Sequence, residues 1–146
     1  MVDVGEKPIT RRKAVASGRV IMAAQTMLLI QDNKIQKGNV LELARIAGVM
    51  ASKKASDIIP LCHPLSLDSV SIDFSLVDEV TVGIQASVSA SERTGGEMEA
   101  LTAVTAACLT IYDMCKSVDR SMVISTIQLE EKSGGKSGNF LRGEVS

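Results

Sequence analysis

The 146-residue sequence has almost no aromatic side chains: two phenylalanines, one tyrosine and no tryptophan, 2% in all. That scarcity argues against recognition of nucleic acid by base stacking, which needs exposed rings. An excess of positive charge is missing too. Sixteen basic residues against seventeen acidic ones leave a formal net charge of −1, so the chain lacks the broad basic surface of a duplex binder and any anion site must be local. Cysteine is scarce and odd in number. Cys62, Cys108 and Cys115 form no C-x-x-C pair, which reads neither as a disulfide framework nor as a zinc site and fits a reducing cytoplasm. No apolar segment follows the charged start MVDVGEKPITRRK, so no secretory signal is read. Long hydrophobic runs are absent as well: the stretch from Ala100 to Tyr112 is threaded with threonines and stops at Asp113, short of the ~20 residues of a membrane span. The expectation is a soluble, cytoplasmic protein with neither a nucleic-acid nor a membrane partner.

What the sequence does have is 45% hydrophobic residues, nearly all Ala, Val, Ile, Leu and Met. Its length suffices for one domain, residues 1–146, to bury a core without disulfides or metals. No repeat, linker or low-complexity block marks a second domain. Val70, Ile72, Phe74 and Leu76 alternate with Ser71, Asp73 and Ser75, and the pattern resumes at Val80, Val82, Ile84, Ala86 and Val88 beyond Asp78-Glu79. That predicts a β-hairpin with one buried face. Thr94-Gly95-Gly96-Glu97 has the form of a capping box and opens a long, largely buried helix to Cys115. SMVISTIQLEE, rich in β-branched residues, predicts another strand, and KSGGKSG a loop. Upstream, RRKAVASGRVIM reads as a strand and AAQTMLLIQD as a short helix. GNVLELARIAGVMASKKASDII reads as a helical segment with Val40, Leu43, Ile46, Ala47 and Met50 at helical spacing. The order predicts an α+β, ferredoxin-like (split β-α-β) fold, its helices packed on one face of an antiparallel sheet.

The single histidine lies in LCHPL, residues 61–65, between Pro60 and Pro64. The prolines fix their own φ and bias Ile59 and His63 towards extended backbone, which makes a stiff corner able to aim a side chain. A buried structural histidine is the commoner outcome for such a residue. Cys62 and His63, adjacent in an extended segment, point apart rather than pairing as nucleophile and base. Asp113 interrupts an apolar run in TIYDMCK, with Lys116 spaced for an ion pair at a helix end. Position alone leaves a salt bridge and a catalytic carboxylate equally open. Glu97 and Glu99 sit in the first turn of the same helix, where free amides favour negative charge. Glu99 and Asp113 fall near one face of it, yet fourteen residues separate them, roughly 21 Å at about 1.5 Å per residue. One small substrate cannot bridge that gap within a chain, so a shared site requires a second chain running its helix the other way. KSGGKSG fails as a Walker-type phosphate loop, because Glu130 stands where the leading glycine belongs. Lys132 and Lys136 remain, on a backbone that permits close approach to a phosphate, although a solvated tail is the plainer reading. Lys37 beside Gly38 and the pair Lys53-Lys54 are further cations of the same plain kind. On residue chemistry alone the chain binds an anionic ligand through lysines and carboxylates.

Five ordered segments, KGNVLELARIAG, IPLCHPL, TGGEMEALTA, LTIYDMCK and KSGGKSG, closely resemble the cyclic pyranopterin monophosphate synthase (MoaC-type) family of molybdenum cofactor biosynthesis. The resemblance spans nearly the whole chain. It implies a ferredoxin-like subunit assembled as dimers into a hexamer, a trimer of dimers, with the site where two chains meet. It also implies a lyase reaction: a cyclised dihydroguanosine triphosphate, made from GTP by an upstream radical cyclase, becomes cyclic pyranopterin monophosphate with loss of pyrophosphate. No cofactor is required by that reaction, although magnesium can accompany the phosphates.

Carried onto this sequence, the family's catalytic aspartate falls on Asp113, with Lys116 and Lys37 as further catalytic candidates. Substrate-binding positions fall on Leu61, Cys62, His63, Met98 and Glu99, and Lys132 matches a functional lysine of the glycine-rich tail. No metal ligand is carried over. Carboxylates and lysines suit the proton transfers of ring opening and closure, and cations offset the charge that develops as pyrophosphate leaves. In this reading Asp113 and Lys116 form a proton-transfer pair, Lys37 and Lys132 act near the phosphates or the opened ring, and His63 and Glu99 position the base. The competing class is a non-catalytic nucleotide sensor of the same fold, which would release no pyrophosphate.

Overall fold

The computed structural model describes residues 1–144. They run β1 (Thr10–Ile21), α1 (Ala24–Gln31), α2 (Val40–Ser52), α3 (Ala55–Ile58), β2 (Ser69–Asp78), β3 (Thr81–Glu92), α4 (Glu97–Cys115), β4 (Val123–Ser133) and β5 (Phe140–Leu141). Alternation along the strands builds the sheet. In β1, Ala14, Ala16 and Val20 are buried while Arg11, Lys13 and Arg19 are exposed, and β3 buries Val82, Ile84, Ala86, Val88 and Ala90, because successive Cβ atoms leave a pleat on opposite sides. The sheet order is β2-β3-β1-β4-β5, with every neighbouring pair antiparallel. With β1 and β3 in the centre and α2 and α4 in the crossovers, this is the expected α+β, ferredoxin-like arrangement.

The core dispenses with rings by bringing backbones close. Helix α4 buries Ala100, Ala103, Val104, Ala107, Cys108 and Ile111, while α2 buries Ala44, Gly48 and Ser52. A Cβ added at Gly48 would strike the Ile72 side chain and reach 3.0 Å from the Ala103 carbonyl oxygen. Interiors pack to near-crystalline density, so small residues here do by proximity what aromatics do by volume. By length and composition α4 could cross a membrane, but half of its apolar window is buried within the fold, as in a core helix.

Small residues facing inward also explain a departure from the sequence pattern. Val40 is buried and Ala47 partly so, but Leu43, Ile46 and Met50 stand 47%, 54% and 62% exposed on the outer face of α2. Two other local expectations are corrected. The N-cap of α4 is Gly96, with no side-chain cap bond, so Thr94-x-x-Glu97 is not a working capping box. The glycine-rich tail is not loop from its first residue either, since Lys132 and Ser133 extend β4 and Phe140-Leu141 return beside it as β5.

Asp119, only 8% exposed, ties the chain after α4 to the start of α1. Its Oδ2 accepts the Ala23 amide at 2.9 Å and the Thr26 hydroxyl at 3.0 Å, and its Oδ1 accepts the Ser121 amide and hydroxyl. The Tyr112 hydroxyl donates to the Arg120 carbonyl at 3.0 Å across the same end of the fold. Strand β4 carries two register shifts against β1, between Val15 and Ala16 and between Ser17 and Arg19. Thr126, in the second, has φ +57°, a left-handed conformation that a β-branched residue rarely adopts.

Candidate functional site

Lysines and carboxylates gather at two ends of α4. At its C-terminal end Asp113 lies in the last turn, and its Oδ1 receives the Lys116 ammonium at 2.8 Å. Lys37 arrives from the turn before α2 and meets Asp113 Oδ2 at 2.9 Å and its carbonyl at 3.1 Å. That turn is shaped by Gly38 at φ +122° and by Asn39, whose Oδ1 caps α2 by accepting the Glu42 amide. The Lys116 hydrogen bond, then that of Lys37, draws the Asp113 carboxyl down to about 2, and Asp113 in turn raises Lys116. All three side chains remain about half exposed. The three predicted catalytic residues are thus one contiguous cluster.

At the N-terminal end of α4 the LCHPL corner forms one wall of a cleft of about 380 Å³. Leu61, Cys62 and His63 face Thr94, Gly95, Glu97 and Met98 across it. Glu99 lies behind, 3% exposed, with Oε1 4.0 Å from Cys62 Sγ. Burial first, then the neighbouring Glu97, raises the Glu99 carboxyl above its ordinary range. Burial and then Glu99 likewise raise the Cys62 thiol, which opposes a nucleophilic role. Lys132, projecting from β4 opposite Ala14, ion-pairs with Glu97. Every substrate-binding position read from the sequence therefore meets at this end. Exposure does separate Glu99, which is buried, from Asp113, which is not, despite their nearly equal helical angle.

Arg12 was missed. It sits on β1 with its side chain on the helix-bearing face, only 7% exposed. Its Nε and an Nη donate to the carbonyls of Glu92 and Arg93 at 3.0 and 3.1 Å. With Lys7, Thr10, Gly135 and Lys136 it lines a second cleft of about 520 Å³. The signal that could have found it is parity: in RRKAVASG, Arg12 shares its face with Ala14 and Ala16, not with Arg11 and Lys13. Among the described residues no three His, Cys, Asp or Glu side chains converge to hold a metal ion.

A ferredoxin-like α+β subunit with a buried carboxylate cleft, a lysine-clamped aspartate and a cationic glycine-rich turn has the features of a small-molecule enzyme acting on an anionic substrate. Comparison with known proteins gives the particular family: residues 1–135 match the MoaC family model, and the chain belongs to that family. It is 57% identical over 146 residues to the cyclic pyranopterin monophosphate synthase of Heliobacterium modesticaldum, covering 99% of this chain and 91% of that one. The protein of the same name from Brevibacillus brevis is 51% identical over 144 residues, 99% of this chain and 90% of its own. Cyclic pyranopterin monophosphate synthase 1 of Mycobacterium bovis is 56% identical over 142 residues, covering 97% and 84%.

Proposed function

We propose that this chain is a cyclic pyranopterin monophosphate synthase, a lyase of molybdenum cofactor biosynthesis. It converts the cyclised dihydroguanosine triphosphate to cyclic pyranopterin monophosphate and pyrophosphate. Family membership and high identity over nearly the full length support the activity. The observation that carries the mechanism is the split of the site, with Glu99, His63 and Lys132 at one end of α4 and Asp113, Lys37 and Lys116 at the other. Two chains with antiparallel helices bring the halves together. The apolar stripe Leu43, Ile46 and Met50 on α2, left uncovered in the single chain, supports an assembly, for which a hexamer built as a trimer of dimers is the form proposed.

In the joined site the cleft beside LCHPL takes the base, with Glu99, Met98 and His63 orienting it and the two prolines holding the wall rigid. Asp113 flanked by two ammonium groups is a weak proton acceptor. A substrate phosphate competes for Lys37, and loss of that partner restores basicity to Asp113, with Lys116 supplying or taking the proton in turn. During cyclisation a sugar hydroxyl attacks the innermost phosphorus. The new P–O bond replaces the bond to the departing pyrophosphate, the hydroxyl proton goes to the basic group, and lysines offset the growing negative charge. Magnesium enters only as a companion of the phosphates. An upstream radical cyclase acting on GTP supplies the substrate, and the cytoplasm is the proposed compartment.

The test is direct: purified protein is incubated with the cyclised intermediate and assayed for pyrophosphate and pterin fluorescence. Formation of both supports the lyase. Tight binding without pyrophosphate would instead make the chain a nucleotide sensor, and normal turnover by Asp113→Asn would remove that residue from the chemistry.

A further inference from the structure

The two lysines that hold Asp113 are mounted differently. Lys37 comes from the open turn before α2, next to Gly38 at φ +122°, and nothing lies within 4 Å of where a Gly38 Cβ would stand. Lys116 follows directly on α4, and its amide donates to the Tyr112 carbonyl at 2.8 Å. Beyond it the chain turns back, the amides of Val118 and Asp119 both donating to the Cys115 carbonyl at 3.0 Å. The Tyr112 hydroxyl closes this turn on the Arg120 carbonyl. That acceptor is a fixed point. Asp119 before it accepts the Ala23 amide and the Thr26 hydroxyl at the start of α1, and Ser121 after it donates to Asp119 through both amide and hydroxyl. Tyr112 packs its ring on the core and stands four residues before Lys116, so ring and lysine stem share one helical face.

We propose that Tyr112 is a positioning residue of the reaction: its hydroxyl pins the turn that carries Lys116, so that Lys116 stays on Asp113 when a phosphate draws Lys37 away. Asp113 then has one exchangeable partner and one permanent one. Without the pin, the half-exposed Lys116 ammonium trades Asp113 for water in part of the population. The charged groups that meet the Asp113 carboxylate are Lys116 from its own helix and Lys37 from the turn before α2, and Lys116 does most to hold it down to about 2. Its titration therefore reports the Lys116 contact directly. Tyr112 adds to Asp113 in raising Lys116, which agrees with its placement beside that side chain. The proton-transfer role of the pair rests on the synthase reading, while the bracing of Lys116 stands on the geometry of the turn.

Tyr112→Phe tests it, keeping the ring in the core and removing only a hydroxyl whose bond lies at the surface. Loss of one hydrogen bond of restraint lowers kcat for pterin formation by about three- to tenfold. KM is unchanged, the mark of an interaction that acts on the chemical step. Independently of turnover, carbon-13 NMR of the Asp113 carboxyl shows protonation beginning about half a pH unit higher than in the wild type. The acid limb of the pH–rate profile moves up with it. Arg120→Ala, which keeps the acceptor carbonyl and removes a neighbouring charge, leaves both kcat and the Asp113 titration as they were. An unshifted Asp113 titration in Tyr112→Phe, whatever its melting temperature, would reduce Tyr112 to a structural residue and overturn the proposal. An equal shift in Arg120→Ala would overturn it too, by assigning the effect to charge. A shifted titration in a protein that forms no pterin keeps Tyr112 as the brace of Lys116 and refutes the synthase reading. Normal turnover with an unshifted titration does the reverse.

Discussion

Co-expression of two inactive variants, Asp113→Asn and Glu99→Gln, restores activity if each site draws on two chains. The lengths involved make the outcome sharp. Fourteen residues of α4 separate the two carboxylates, roughly 21 Å along the axis, so no site within one chain holds both. Asp113→Asn loses on the order of 10² to 10⁴ in kcat, the usual worth of a proton-transfer group, and Glu99→Gln, which misplaces the base, on the order of 10². In a mixed pair one of the two sites inherits both defects and the other inherits none. Random pairing makes half of the dimers mixed, so about one quarter of wild-type activity returns, by the symmetry of an isologous pair. The assay is pterin fluorescence from the cyclised intermediate, on assemblies carrying two different affinity tags and purified through both. Purification of mixed pairs alone raises the expected figure to about one half. Activity no greater than that of either variant, in assemblies shown to contain both chains, would refute the two-chain site and with it the distance reasoning.

Other parts of the fold make equally definite statements. Gly48→Ala forces a methyl against Ile72 and the Ala103 carbonyl and costs about 1–3 kcal/mol of stability, measured by urea denaturation. Asp119→Ala leaves the Ala23 amide and the Thr26 hydroxyl without their acceptor and costs about 3 kcal/mol in the same measurement. The Ala23 amide and the Ser121 hydroxyl hold the Asp119 carboxyl below its usual range. Its stabilisation is therefore complete above the unfolded pKa of about 3.9 and is lost as pH falls through the lower folded value. Thermal melting in Asp119→Asn accordingly falls less steeply below about pH 4 than in the wild type. Thr126→Gly relieves the left-handed strain at φ +57° and raises stability by about 1 kcal/mol, visible as a higher melting temperature.

The β2–β3 hairpin was the most legible part of the sequence, because the alternation along Val70–Leu76 and Val80–Val88 matches the buried face of the sheet, except at Leu76, which is 46% exposed at the end of β2. The ferredoxin-like order followed from counting elements. Helix α2 was read correctly as a helix, but its pattern did not tell which side faced in. Leu43, Ile46 and Met50 obey helical spacing and still lie outside, since Gly48 and the alanines of α4 admit a closer approach than larger residues would. Hydrophobic spacing marks an apolar face without saying whether it points into this chain's own core. The triad of Asp113, Lys116 and Lys37 was half legible. An i, i+3 pair can be seen on any helix, but Lys37 joins it through a contact 76 residues distant in sequence, and only the family resemblance brought it in. Arg12 was lost among neighbouring charges in RRK, where burial depends on strand parity and on two carbonyls some eighty residues away.

The scarcity of rings has one practical consequence. Tyr112 is the only tyrosine and there is no tryptophan, so the protein's near-ultraviolet emission comes from one phenol, next in sequence to Asp113 and bonded to the Arg120 carbonyl. The chain carries a built-in optical reporter at the lysine-clamped end of α4. Docking of a second chain or a phosphate there can be followed as a change in tyrosine lifetime, at wavelengths well separated from the emission of a pterin product.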